Sequence, residues 1–327
     1  MRFKKAFRRR WVKALVALGL VFLALYLIPI PPVGSPVEEL ALRDSKFVEV
    51  EGVKIHYVDY GEGDTLFVLL HGFGASTFSW REISPNLSRY SRVVAFDRPG
   101  FGLTERVDPG STRLNPYSAE GATELSCRFI KAIYRGEQRI VLIGHSAGGG
   151  LALLIALKCD IPVSALILIA PAWKPYEQNL GERLLYNLPL SDKYGPLLLR
   201  LYVGQLENVL YKAWYNKSLL TQGVLEGYKY PLKARDWDKG LYWLMKNRRF
   251  PDIKSKLSDI RADVLIIHGR DDEIVSLEHS KELNNLLVGR TRVELVVVDQ
   301  CGHLPHEEKP DLVLSEILRF LGLGLNQ

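Results

Sequence analysis

Residues Gly144-His145-Ser146-Ala147-Gly148 constrain this 327-residue chain more than any other stretch. Ahead of them, Arg139-Ile140-Val141-Leu142-Ile143 reads as a short buried strand. Behind them, Gly149-Gly150 lead into Leu151-Ala152-Leu153-Leu154-Ile155-Ala156-Leu157, an apolar run that reads as a buried helix. A strand running straight into a helix forces a sharp turn at Ser146 and lifts its hydroxyl clear of the backbone. Glycines two residues to either side are needed because a Cβ there would crowd strand and helix as they close. G-x-S-x-G alone is a weak pattern, and a glycine-rich loop between packed elements is its plain alternative. Framed by a strand and a helix, it describes a serine presented at the edge of a sheet.

The rest of the chain supplies that sheet. Phe47-Val48-Glu49-Val50 and Lys54-Ile55-His56-Tyr57-Val58 flank Glu51-Gly52, the pattern of a two-residue hairpin. Leu66–Leu70, Arg92–Phe96, Ala165–Ala170, Val264–Ile267 and Val293–Val298 read as further strands, and Pro116–Tyr134 and Asp311–Leu321 have helical apolar spacing. Repeated βα units of this kind predict a mostly parallel sheet covered by helices. Between Pro171 and Pro251 strands vanish, and Leu, Tyr and Trp recur at helical spacing. The expected organisation is therefore a sheet domain in two parts, 47–170 and 252–327, with a helical cap inserted at 171–251.

The net charge of +6 is carried by one end. Arg2, Lys4, Lys5, Arg8, Arg9, Arg10 and Lys13 are seven cations that precede any acid, so the remaining chain is one unit negative. That balance gives no basis for nucleic-acid binding. Residues 1–13 form a basic segment, 14–30 are 17 residues without a charge, and 31–46 form a proline-bearing linker. Seventeen apolar residues reach the short end of a membrane-spanning helix, and Pro29, Pro31 and Pro32 terminate it. The positive-inside rule then puts the N-terminus in the cytoplasm and the catalytic body outside it, on a single-pass membrane protein. A cleaved signal and a twin-arginine-like signal at Arg8-Arg9-Arg10 are the competing readings. Cys127, Cys159 and Cys301 have no metal or redox spacing. Cys127 and Cys159 fall in apolar helical contexts and are expected to be buried small hydrophobes.

A serine hydroxyl needs an adjacent base, and the base needs an orienting acid. Val264-Leu265-Ile266-Ile267-His268-Gly269-Arg270-Asp271-Asp272 is a strand ending in a glycine turn with two acids, and Val296-Val297-Val298-Asp299-Gln300-Cys301-Gly302-His303 is a strand followed by a loop histidine. His303 is the candidate base, with His306 as its rival; an i,i+3 histidine pair also fits a metal, but no third ligand accompanies it. His71-Gly72-Phe73-Gly74 supplies a turn after an early strand. The backbone N–H groups of Phe73 and Ala147 are the candidate oxyanion donors, with His71 bracing their loop. His56, His268 and His279 are read as structural.

In these motifs the chain resembles the α/β-hydrolase fold, over roughly Phe47 to Leu321. His71-Gly72-Phe73-Gly74, Phe96-Asp97-Arg98-Pro99-Gly100-Phe101-Gly102, the Ser146 turn, Gly269-Arg270-Asp271-Asp272, Gly302-His303 and Glu308-Lys309-Pro310 carry the likeness. The resemblance implies a catalytic acid three residues after Gly269, which selects Asp272 over Asp271. Serine at the nucleophile position argues against epoxide hydrolases and haloalkane dehalogenases, which use aspartate there. The fold class expected is thus an α/β-hydrolase sheet flanked by helices, with an inserted helical cap and an N-terminal transmembrane anchor. The expected activity is carboxylic ester hydrolysis of the esterase or lipase type, by Ser146, His303 and Asp272 through an acyl-enzyme, with no metal or organic cofactor. A carbon–carbon bond hydrolase, a cofactor-free perhydrolase and a transacylase use the same triad and are the alternatives; a non-catalytic ligand-binding protein is the reading from another class. His145, Trp173, Trp214 and Trp243 are the expected substrate-binding residues, on a hydrophobic ester.

Overall fold

The computed structural model describes residues 2–324. Helix α1 (Arg2–Leu27) leads to the hairpin β1 (Lys46–Val50) and β2 (Val53–Tyr60), then β3 (Thr65–Leu70), the short α2 (Ser84–Leu87), β4 (Arg92–Phe96), α3 (Ala119–Ile133), β5 (Arg139–His145), α4 (Ala147–Lys158) and β6 (Val163–Ile169). Five helices follow: α5 (Leu180–Tyr186), α6 (Ser191–Tyr202), α7 (Leu206–Ala213), α8 (Gln222–Lys229) and α9 (Trp237–Lys246). The chain then returns through β7 (Asp263–Gly269), α10 (Leu277–Leu287), β8 (Val293–Val298), α11 (Pro305–Glu308) and α12 (Pro310–Leu321). The eight strands form one sheet in the order β1-β2-β4-β3-β5-β6-β7-β8. β2 runs antiparallel to β1 and β4, and β4, β3, β5, β6, β7 and β8 run parallel to one another.

Period-two alternation divides the core between two faces. Leu66, Val68 and Leu70 of β3 point to the side covered by Phe129 of α3, Leu153 of α4 and Leu283 of α10. Phe67 and Leu69 point the other way, toward Leu87 of α2 and Ile317 and Phe320 of α12. Strands covered on both faces need continuous apolar runs rather than alternation, and β3 and β4 are buried along their whole length. At the sheet's edge, Val50 pairs with Val53 across Glu51 and Gly52, both at positive φ (53° and 76°), the turn that matches the twist of a two-residue hairpin.

No strand lies between Ile169 and Asp263 among the described residues. The helical segment is joined to the body at a neck where Tyr176 and Phe250 exchange N–H···O bonds of 3.1 and 2.9 Å. Residues 31–46, expected as a linker, bond to this cap at Val33 and Ser35 and to β2 at Asp44 and Ser45. Ser35 N–H donates to Lys233 O at 2.8 Å, and Arg235 N–H and Asp236 N–H return to Ser35 O and Val33 O at 2.7 and 2.9 Å.

α1 runs through the basic segment without a break at residue 13. Its stretch Arg10–Leu27 has a mean hydropathy of 1.8, with none of it buried. It is long and apolar enough to cross a membrane, a property that signal sequences share. One expectation is corrected here. Cys127 of α3 and Cys159, just past α4, are joined in a disulfide with a Cα separation of 5.8 Å, and only Cys301 is free. The packing of α3 beside α4 on one face of the sheet brings together two cysteines 32 residues apart, a pairing that spacing alone does not reveal.

Candidate active site

Ser146 occupies the junction of β5 and α4 at φ 52° and ψ −120°, a conformation that a residue with a side chain holds only when its surroundings impose it. Those surroundings are backbone. Its N–H donates to Ile169 O at 2.9 Å, and its carbonyl accepts the N–H groups of Gly149, Gly150 and Ala172 at 2.9, 3.2 and 2.9 Å. A Cβ at Gly144 would lie 2.5 Å from Gly148 O, and one at Gly148 would lie 2.0 Å from Leu70 O. The two glycines let strand and helix meet.

Asp272 follows β7 by three residues, and its side chain is fully shielded from solvent. His303 Nδ1–H donates to its Oδ2 at 2.7 Å. The other carboxylate oxygen accepts the N–H groups of Ile274 and Val275 at 2.7 and 2.9 Å. His268 Nε2 also lies 3.2 Å from Oδ2 while its Nδ1 meets Ser280 Oγ at 2.7 Å. Burial alone raises the pKa of this carboxyl, but the hydrogen bonds from His268, His303 and the Val275 amide outweigh it and hold Asp272 well below the usual carboxylate range. Asp271 is exposed, its N–H bonded to Cys301 O at 3.0 Å.

His303 sits in the loop after β8, beneath the cap, where its N–H donates to Ala213 O at 2.7 Å. Glu308 secures the loop: one carboxylate oxygen accepts Gly302 N–H at 2.8 Å, and the other accepts Tyr215 and Asn216 N–H at 2.9 Å each. His306, the rival base, is fully buried and points elsewhere. Its ring packs 4.7 Å from that of Trp80 and 4.6 Å from that of His145, and neither of its nitrogens has a hydrogen-bond partner among the described residues. Burial first, then Arg81 and His303, push its pKa down to about 3, so it is a neutral packing residue.

Phe73 lies in the loop after β3, and Ala147 opens α4, where the first N–H groups of a helix have no carbonyl of their own to bond. The loop is braced by His71: its Nδ1–H donates to Gly72 O at 2.8 Å and its Nε2 accepts Arg98 N–H at 3.0 Å. Burial, followed by the nearby Arg98 charge, lowers the His71 pKa to about 3, so this brace stays neutral. Asp97 stitches the neighbouring segment, accepting Thr77 and Leu103 N–H at 2.7 Å each and facing His56 Nδ1 at 2.7 Å.

Ser146, Ala147, Phe73, His145 and His303 all line one cavity of about 730 Å³ between sheet and cap. His145 contributes a wall, while its Nε2–H is committed to His303 O at 2.9 Å. The three tryptophans expected to contact substrate do not line this cavity. Trp173 is buried with its Nε1–H on His279 O at 2.9 Å, Trp214 packs edge-on to Tyr228, and Trp243 stacks 5.2 Å from Tyr117. Residue type identified the aromatics, but Trp173 and Trp214 lie outside the helices and nothing in the sequence set the direction each ring faces. Trp237, Tyr176, Tyr228 and cap leucines form the wall instead.

Sequence reasoning passed over the cationic residues of the cavity, Arg98 foremost. Arg98 is only 9% exposed, and its Nε and Nη2 have no hydrogen-bond partner among the described residues. Its guanidinium lies 5.1 Å from the Phe101 ring, and burial lowers its pKa to about 10, leaving it charged near neutral pH. Arg106, Lys174, Arg248 and Arg249 also line the cavity, and no carboxylate among the described residues does. Its place in the Asp97-Arg98-Pro99-Gly100 turn was the available signal.

A strained serine and a carboxylate–imidazole pair around one cavity, with Phe73 and Ala147 on its lining, belong to a hydrolase of the α/β type. A profile described as the alpha/beta hydrolase family matches residues 67–316, and the chain belongs to that family. It is similar to the 2-hydroxy-6-oxononadienedioate/2-hydroxy-6-oxononatrienedioate hydrolase of Escherichia coli (strain K12 / DH10B), at 28% identity over 85% of this chain and 95% of that protein. Among solved structures it resembles the meta-cleavage product hydrolase of Pseudomonas fluorescens IP01 (26% identity, TM-score 0.66, 85% of this chain and 97% of that one). A membrane phospholipase A described as a bacterial virulence factor shares the fold at 23% identity and TM-score 0.66, over 98% of this chain and 100% of that one.

Proposed function

We propose that this chain is a membrane-tethered serine hydrolase, and that it cleaves the carbon–carbon bond of a vinylogous diketone carrying an anionic group. The reading departs from the ester expectation, and the observation that carries it is Arg98. A buried guanidinium with two unpaired donors, in a cavity without a carboxylate, strongly favours a ligand that brings a negative charge. The Escherichia coli relative is named for dicarboxylate substrates. In the proposed reaction Ser146 Oγ attacks the ketone carbonyl as His303 takes its proton, Asp272 stabilises the imidazolium, and the Phe73 and Ala147 amides receive the oxyanion. The carbon–carbon bond breaks to give a resonance-stabilised carbanion, which takes the proton held by His303. Water, deprotonated by the same imidazole, then hydrolyses the acyl-enzyme and restores the Ser146 hydroxyl.

Ester hydrolysis is the second reading, favoured by the apolar side chains that the cap contributes, among them Leu199, Val203, Leu206 and Leu210. The two readings separate in one assay. Purified protein is given a carboxylated vinylogous diketone, followed by loss of its dienol absorbance, and in parallel a panel of p-nitrophenyl esters. The proposal expects turnover of the diketone at the higher kcat/KM, and Arg98→Gln raising KM for the carboxylate but not for its methyl ester. Preference for neutral esters, unaffected by Arg98→Gln, would replace it with the second reading. Absence of fluorophosphonate labelling at Ser146 in folded protein would overturn both and leave a ligand-binding role.

A further inference from the structure

We infer that the outer surface of α5 and α6 is a lipid-docking face, so that the cap rests on the bilayer and one of its helices separates lipid from the active-site cavity. The inference rests on the membrane-tethered part of the proposed function and is independent of which bond is cleaved.

Leu180, Leu184, Leu185 and Leu188, on and just after α5, and Leu198 and Leu201 on α6 are between 54% and 77% exposed. No residue of α5 is buried. Scattered exposed leucines are ordinary on a protein surface, but six on two consecutive helices and the turn between them form an apolar surface of the kind that marks an interaction site.

The position of α1 names the occupant. Tyr194 Oη–H and Lys193 Nζ, at the start of α6, donate to Leu25 O at 2.6 and 2.9 Å, and Lys193 lies 5.6 Å from the Tyr26 ring. Farther along, Arg200 Nη2 reaches Pro31 O at 3.3 Å. The 18 residues Arg10–Leu27 span roughly 27 Å as a helix, close to the ~30 Å hydrocarbon core. When they cross a bilayer, Leu25 and Tyr26 stand at its outer interface, and any side chain bonded to Leu25 O stands at the same level. The exposed leucines on either side of Lys193 and Tyr194 then face acyl chains, with the lysine and tyrosine at headgroup depth, where such amphipathic groups are favoured.

The opposite side of this segment faces inward. Leu199 of α6, Val203 and Leu206 line the cavity that holds Ser146. Leu198 and Leu199 are therefore adjacent residues with different surroundings, one exposed and one on the cavity wall.

The test uses the full chain reconstituted in nanodiscs of phosphatidylcholine and phosphatidylglycerol, with Leu185→Cys, Leu201→Cys and, as a control on the body, Val288→Cys, each labelled with an environment-sensitive fluorophore. Cys301 is buried and the other two cysteines are paired, so the new thiol is the accessible one. Labelling of Ser146 by a fluorophosphonate verifies folding without requiring turnover of any substrate. A blue shift and quenching by spin-labelled lipid at residues 185 and 201, absent at 288, in discs holding one copy, is the expected result. Water-like emission at 185 and 201 in a correctly folded, disc-inserted protein would overturn the inference. So would protection that appears only in discs holding two copies, which would assign the face to self-association. Loss of diketone turnover with intact quenching would count against the proposed reaction and leave the docking face standing.

Discussion

Two histidines converge on one oxygen of Asp272: His303 Nδ1 at 2.7 Å and His268 Nε2 at 3.2 Å. His268 Nε2–H is shared with Val275 O at 2.9 Å, so the donor that steadies the carboxylate also holds the turn around it. His268 acts through Asp272 and is a positioning residue. Removing a hydrogen bond to a charged group costs about 1.5 kcal/mol, roughly tenfold in rate. His268→Ala is expected to lower kcat about tenfold with KM little changed, and His268→Gln, which keeps a donor, to restore most of it. A loss confined to thermal stability, equal in both variants, would assign His268 a structural role only.

Glu308 holds three backbone amides, two of them in the cap and one beside His303. Each buried amide left without an acceptor costs about 1–3 kcal/mol. Glu308→Ala is expected to lower stability by about 3 kcal/mol or more in urea unfolding and to depress kcat as the His303 loop loosens. Glu308→Gln keeps one acceptor oxygen and should fall between. Wild-type stability in the alanine variant would contradict the arrangement.

The disulfide between Cys127 and Cys159 predicts a simple thiol count. Denatured, unreduced protein should titrate one thiol, Cys301, and reduced protein three. Closing a loop of 32 residues stabilises by about 3–4 kcal/mol, so reduction should lower Tm by several degrees. Three reactive thiols without reductant would disprove the bridge.

Acid should destabilise the fold through its buried histidines. His71 and His306 have pKa values of about 3 when folded against roughly 6.5 in the unfolded chain. Between those values the unfolded state binds more protons, so stability rises with pH across the window and falls as pH drops below about 6.5. Each histidine contributes a slope of about 1.4 kcal/mol per pH unit in the middle of that range. His306→Phe, stacked on Trp80, should flatten the pH dependence by one such slope between pH 6 and pH 4 and leave hydrolysis at pH 7 largely intact. An unchanged slope would show that His306 is not held neutral.

The sheet was legible because its strands are continuous apolar runs and its hairpin has a two-residue turn, signals contained within a few neighbouring residues. The positions of Ser146, Asp272 and His303 at the ends of β5, β7 and β8 depend on those same local signals, with the choice between Asp271 and Asp272 drawn from the family likeness. What escaped depended on how elements pack. Cys127 meets Cys159 only through the pairing of α3 with α4. Trp173 and Trp214 lie outside the cap helices, in the chain after β6 and just past α7, and Trp243 sits six residues beyond Trp237 on α9, yet of the four only Trp237 lines the cavity, because residue type does not fix which way a ring faces. Arg98 lay in a recognised turn, but its unpaired donors follow from the burial around it. The ester expectation rested on the triad, the family likeness, the apolar cap and the N-terminal anchor, without that charge.

The hydrogen bonds of Val33 and Ser35 to Lys233, Arg235 and Asp236 fasten the N-terminal segment to the lid rather than to the sheet. Only residues 28–32 lie between the end of α1 and this attachment, a leash of roughly 17 Å at full stretch. Tilting or pulling α1 therefore loads the roof of the cavity at Val33 and Ser35 before the strain reaches β1, and the floor bearing Ser146 shares that load through the neck at Tyr176 and Phe250 and through the Glu308 and Ala213 contacts. A protein built this way has its roof, ahead of its catalytic base plate, mechanically in series with its N-terminal helix.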